Sequence, residues 1–189
     1  MSTAATAGHI REASPRHKAR IAGVLYLLAV LVAVSGEFFL PGRLGWAAVV
    51  IPIACYAVMT LLLYDIFKAV NRVVCLLGVA FGLVGLALEA LQWQPGGVNL
   101  AMLFHALYCL MIGYVAFRST FLPRIPGALM MFAGFVWLIY LSPPLATHTS
   151  PYNTAIGLVG EASLMLWLLV MGVDTRRWKQ QAGAAGERP

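Results

Sequence analysis

The chain has 189 residues, 61% hydrophobic and only 11% charged, with 13 Lys and Arg against 7 Asp and Glu. Soluble domains run at about 45–50% apolar and about 25% charged, so too little polar surface remains here to cover a water-soluble fold. The composition excludes a disordered chain, which lacks apolar residues, and leaves a polytopic membrane protein. The formal charge of +6 is grouped beside apolar runs, as topology and lipid headgroups require. No basic face carries interleaved aromatics, and nucleic acid is not expected as a partner.

In chain order, residues 1–19 read as a disordered basic cytoplasmic tail. Six apolar runs follow, near Ile21–Leu40, Trp46–Phe67, Val73–Trp93, Val98–Phe117, Pro126–Leu145 and Thr154–Val173. Each is long enough for a hydrocarbon core of about 30 Å, which takes about 20 helical residues. They lack the period-2 alternation of a barrel strand, so helices are expected. The first run is too long for the apolar core of a cleavable signal peptide. Short loops make successive helices antiparallel neighbours. The expected fold is all-α, a six-helix transmembrane bundle over 20–175, followed by a disordered tail over 176–189. The Lys and Arg residues fall beside the even loops and in the tails, with Arg43 alone on the other side. That asymmetry puts both termini in the cytoplasm of a multi-pass cell-membrane protein.

Three acids and one histidine sit inside apolar runs: Glu37, Glu89, Glu161 and His105. A charge at mid-bilayer costs about 2.5–3.5 kcal/mol, and such residues usually face a bundle interior and mark a function. Counting 1.5 Å per residue from the outer helix ends puts all four roughly 5–11 Å deep in the extracytoplasmic half. Helical phase adds direction. Gly78, Gly82, Gly85 and Glu89 share a stripe that permits close helix approach. His105, Tyr108, Cys109 and Gly113 share a face, as do Gly157 and Glu161. Pro52 must kink the second helix and free a carbonyl. Glu37, Glu89, His105, Tyr108 and Glu161 are therefore the candidates for binding a ligand or handling protons. Hydrogen bonds that merely hold helices together, at about 0.6 kcal/mol each, are the competing structural reading.

No metal is expected, because no H-E-x-x-H or Glu-x-x-His spacing occurs. No soluble-enzyme or cofactor motif occurs either. Cys55, Cys75 and Cys109 each lie within an apolar run and read as packing residues.

The segment Phe117-Arg118-Ser119-Thr120-Phe121-Leu122-Pro123-Arg124-Ile125 and the run Gly160-Glu161-Ala162-Ser163-Leu164-Met165-Leu166-Trp167-Leu168-Leu169 carry a family pattern. With Arg20–Leu28 and the pairs Leu63-Tyr64 and Asn71-Arg72, they resemble the bacterial integral membrane family catalogued as domain of unknown function 4386, over about residues 20–175. The resemblance implies a multi-pass protein of the bacterial inner membrane in which Glu161 matches a family glutamate. It departs at one point: the family has a histidine before Cys109, where this chain has Tyr108, and His105 lies one turn earlier.

The leading functional expectation is binding, or passage, of a small or amphiphilic ligand at an extracytoplasmic-facing polar pocket, with membrane lipid as the other partner. One alternative is a membrane-embedded acid–base enzyme acting on a lipophilic substrate. The other is a structural or regulatory membrane subunit.

Overall fold

Long apolar runs without β periodicity satisfy their backbone groups internally, and in the computed structural model each forms helix. The structure describes residues 14–39 and 45–186, apart from the side chains at 34, 36–39 and 45–48. Eight α-helices are present among these residues: α1 (Pro15–Phe39), α2 (Gly45–Phe67), α3 (Arg72–Ala90), α4 (Leu100–Arg118), α5 (Arg124–Trp137), α6 (Pro143–Thr149), α7 (Tyr152–Val170) and α8 (Thr175–Ala184). Two 3₁₀ turns, Pro95–Gly97 and Leu138–Leu141, complete the order. Among the described residues, five stretches are long and apolar enough to cross a membrane: Val49–Phe67, Arg72–Ala90, Leu100–Arg118, Arg124–Leu141 and Tyr152–Val170. The molecule is an all-α, polytopic membrane protein. Its outward side chains are apolar, among them Leu31, Leu61, Val73, Phe135, Val159 and Val170, each more than half exposed, a surface suited to lipid rather than water.

Helix contacts run from α1 to α2, α3, α4, α5 and α7, and α7 packs back on α1, closing a ring. Small residues set the approach distances. A Cβ at Gly160 of α7 would stand 2.7 Å from the Leu129 carbonyl oxygen of α5, and one at Gly113 of α4 would stand 2.6 Å from the Met131 nitrogen. Only glycine lets these backbones come so close.

Three boundaries differ from the sequence reading. Helix α1 starts at Pro15, inside the expected disordered tail: Ser14 caps it, accepting at its hydroxyl from His17 N–H at 3.3 Å, and proline suits the first helical position. Residues 1–13 lie outside the described residues, as do 40–44 and 187–189. The expected tail from residue 176 is instead mostly helix α8. Its cap is Asp174, whose Oδ1 accepts from the N–H groups of Arg176 and Arg177 at 3.0 and 3.1 Å. Trp178 of α8 is buried and donates from Nε1 to the Ile66 carbonyl at 2.8 Å, occupying one of the carbonyls that the end of α2 leaves without a partner. Finally, the fifth run is not one helix. It leaves α-helical geometry at Leu138, and Pro143 starts the separate helix α6.

The end of the ring beside α8 is polar. Asp65 of α2 pairs with Lys68 at 2.8 Å and also with Lys18 of α1. Gln181 of α8 accepts from Thr120 N–H at 3.0 Å and from the Thr120 hydroxyl at 2.8 Å.

Candidate functional site

The opposite half of the ring holds a cavity of about 290 Å³. Its lining comes from late in α1 and α3, early in α2, α4 and α7, and the end of α5. Ala33, Val49, Pro52, Ile53, Leu86 and Leu158 supply apolar wall, while Glu89, His105, Tyr108 and Glu161 supply polar groups together with Tyr56 and Trp137.

Each polar group is held there by its own helix. On α3, Gly78, Gly82 and Gly85 are buried. A Cβ at Gly85 would lie 3.2 Å from the Ala101 carbonyl oxygen, and one at Gly82 would lie 3.0 Å from the Tyr108 ring. This glycine stripe seats α3 on α4 and brings Glu89 to the rim. There its Oε1 accepts from Gln92 Nε2 at 3.2 Å. Helix α4 is capped by Asn99, which accepts from Met102 N–H at 3.1 Å. It presents His105, Tyr108 and Cys109 on one face, at the i, i+3, i+4 spacing of helical neighbours. Helix α7 carries Glu161, whose residue exposure is 2%.

Glu161 is the centre of the arrangement. Its Oε1 lies 2.8 Å from His105 Nε2 and accepts from Trp137 Nε1 at 2.5 Å. Cys109 Sγ stands 3.6 Å from His105 Nε2 and 3.7 Å from Glu161 Oε1. Trp137 reaches this position because Gly157 has no side chain: a Cβ there would sit 2.6 Å from the indole. Aromatic rings box the imidazole, with centroids 5.9 Å away at Tyr108 and Trp137 and 6.1 Å away at Tyr56. A buried carboxylate so held has a fixed oxygen and a fixed proton partner, which is the equipment for binding a polar head group or for passing a proton.

Tyr108 contributes differently. It is 2% exposed, and its hydroxyl is buried beside Thr60 rather than open to the cavity.

Of the five candidates read from the sequence, the structure brings Glu89, His105, Tyr108 and Glu161 to this one cavity. The side chain of Glu37 lies outside the described residues. The sequence reading missed Trp137 and Cys109 as partners of Glu161. The signal for Trp137 was present: Met130, Ala133, Gly134 and Trp137 are all buried on α5, at spacings of three and four that define one inward face.

The family model described as "Domain of unknown function (DUF4386)" matches residues 86–172. The family resemblance read from the motifs is thus supported. The match takes in the Phe117–Ile125 connection and the Gly160–Leu169 run, and it covers His105, Cys109, Trp137 and Glu161. No curated protein and no solved structure matches the chain.

Proposed function

We propose that this protein spans the bacterial inner membrane six times, α1 being the sixth span, with its tails in the cytoplasm. On this reading the cavity lies in the extracytoplasmic half and binds a small or amphiphilic molecule. The observation that carries the proposal is the convergence of Glu89, His105 and Glu161 from three helices on one cavity with otherwise largely apolar walls. Apolar walls with a few convergent polar groups are the usual make-up of a small-molecule site. The test is extraction of the purified full chain followed by mass spectrometry of co-purified small molecules. Wild type is expected to retain an amphiphile that Leu86→Trp, which fills the cavity, excludes. Identical extracts from the two proteins would overturn the reading.

The His105–Glu161 pair at 2.8 Å favours a second reading, an acid–base catalyst on a lipophilic substrate. Under it, Glu161→Gln retains the co-purified molecule but in unconverted form. Under simple binding, the same change alters only its amount.

A further inference from the structure

We infer that His105, Cys109 and Glu161 form a binding site for one divalent transition-metal ion of the zinc type. The donor atoms His105 Nε2, Cys109 Sγ and Glu161 Oε1 all lie within 4.8 Å of one another. Zinc sits about 2.0–2.2 Å from nitrogen and oxygen and about 2.3 Å from thiolate sulfur. A tetrahedron with those bonds has sulfur–nitrogen and sulfur–oxygen edges of about 3.6 Å and a nitrogen–oxygen edge of about 3.3 Å. The observed sulfur edges are 3.6 and 3.7 Å, and the nitrogen–oxygen edge is 2.8 Å. Two edges already fit, and the third opens by about 0.5 Å when the ion replaces the proton between His105 and Glu161.

Charge and surroundings agree with the geometry. One thiolate, one carboxylate and one neutral imidazole together neutralise a dication, so the loaded site carries no net charge into a low-dielectric interior. Binding releases the Cys109 thiol proton, and the proton held between His105 and Glu161, to water. Sulfur and imidazole nitrogen select zinc-like ions over magnesium and calcium. Trp137 N–H on Glu161 is the outer hydrogen bond that metal-bound carboxylates usually have. Three protein donors leave a fourth position, and it faces the cavity because His105, Glu161 and Trp137 line it. Such an open position is the mark of a metal that works on a ligand rather than one that only holds a fold.

The inference does not rest on the cavity's organic occupant, and its test contains none. The purified full chain in detergent, stripped with a chelator, is titrated with Co²⁺. The expected result is one Co²⁺ per chain with a thiolate-to-cobalt charge-transfer absorption that Zn²⁺ abolishes. Cys109→Ser should remove the absorption and Cys55→Ser should keep it. Trp137→Phe, which removes the N–H that holds Glu161 and keeps an aromatic ring beside His105, should weaken binding about 10–100-fold. Should Cys109→Ser fail to fold, His105→Ala is read instead, and at least a tenfold weaker binding is expected. No thiolate absorption in wild type, its survival in Cys109→Ser, or unchanged affinity in His105→Ala overturns the site. None of these failures alters the co-purification result.

Discussion

A single oxygen, Glu161 Oε1, collects partners from α4 and α5 onto α7. Depth along the helices groups Glu37, Glu89, His105 and Glu161 from the sequence alone, because in a membrane the axial position of a residue follows from where its helix enters. Rotation about the helix axis was legible only where glycines marked the inward face, as on α3. The phase of α5 turns Trp137 inward, but neither it nor Cys109 reads as a polar partner, because a buried cysteine and a buried indole are ordinary packing residues in an apolar segment. Two expectations belong to this scale. Tyr108→Phe removes a buried hydroxyl that has only Thr60 beside it, so the melting temperature in detergent should change by no more than the net worth of one weak hydrogen bond, about 1 kcal/mol. A larger drop would show that the hydroxyl is held by a stronger partner. Gly82→Leu places a branched side chain where a Cβ alone already meets the Tyr108 ring at 3.0 Å and Thr60 Cγ2 at 3.4 Å. Overpacking of that kind costs about 1–3 kcal/mol. An unchanged melting temperature would mean that α3 and α4 separate freely there.

Among the elements, the runs from Trp46, Val73, Val98 and Thr154 became α2, α3, α4 and α7 with small shifts at their ends. Hydropathy locates such segments because few other structures satisfy the backbone in lipid. It does less well where polarity and helix coincide. Helix α8 reads as a polar tail by composition, yet its Asp174 cap and the buried Trp178 and Ala182 turn it into a docked helix. The break at Leu138 was equally hidden, since its residues stay apolar and only the Pro143-Pro144 pair beyond hints at it. Trp178→Ala should therefore cost about 3–5 kcal/mol, as truncation of a buried tryptophan generally does. It also strips the Ile66 carbonyl of its donor. Thermal unfolding of the full chain tests this, and a loss under 1 kcal/mol would mean that α8 is only loosely seated.

For the whole molecule, the two ends of the ring differ in kind. One carries the Lys18–Asp65–Lys68 ion pairs and the Thr120–Gln181 hydrogen bonds, and the other carries the cavity. The proposed topology assigns the first end to the cytoplasm from the bias of Lys and Arg. Reporter fusions should read cytoplasmic at Gln181 and extracytoplasmic at Gly97. Opposite readings at both sites would invert the protein and put the cavity on the cytoplasmic side.

Trp178 and the carbonyl it serves are 112 residues apart. That separation becomes a delay when the chain is made. Ribosomes add roughly 5–20 residues per second, so α2 waits roughly 6–22 s for the indole that completes its end. During that interval the helical segments are inserted one after another while one backbone oxygen at the exit of α2 relies on water or lipid headgroups. The last described helix to be synthesised therefore acts as a latch. A nascent chain arrested before residue 178 should carry its spans in the bilayer and still be more open to protease near Ile66 than the finished protein.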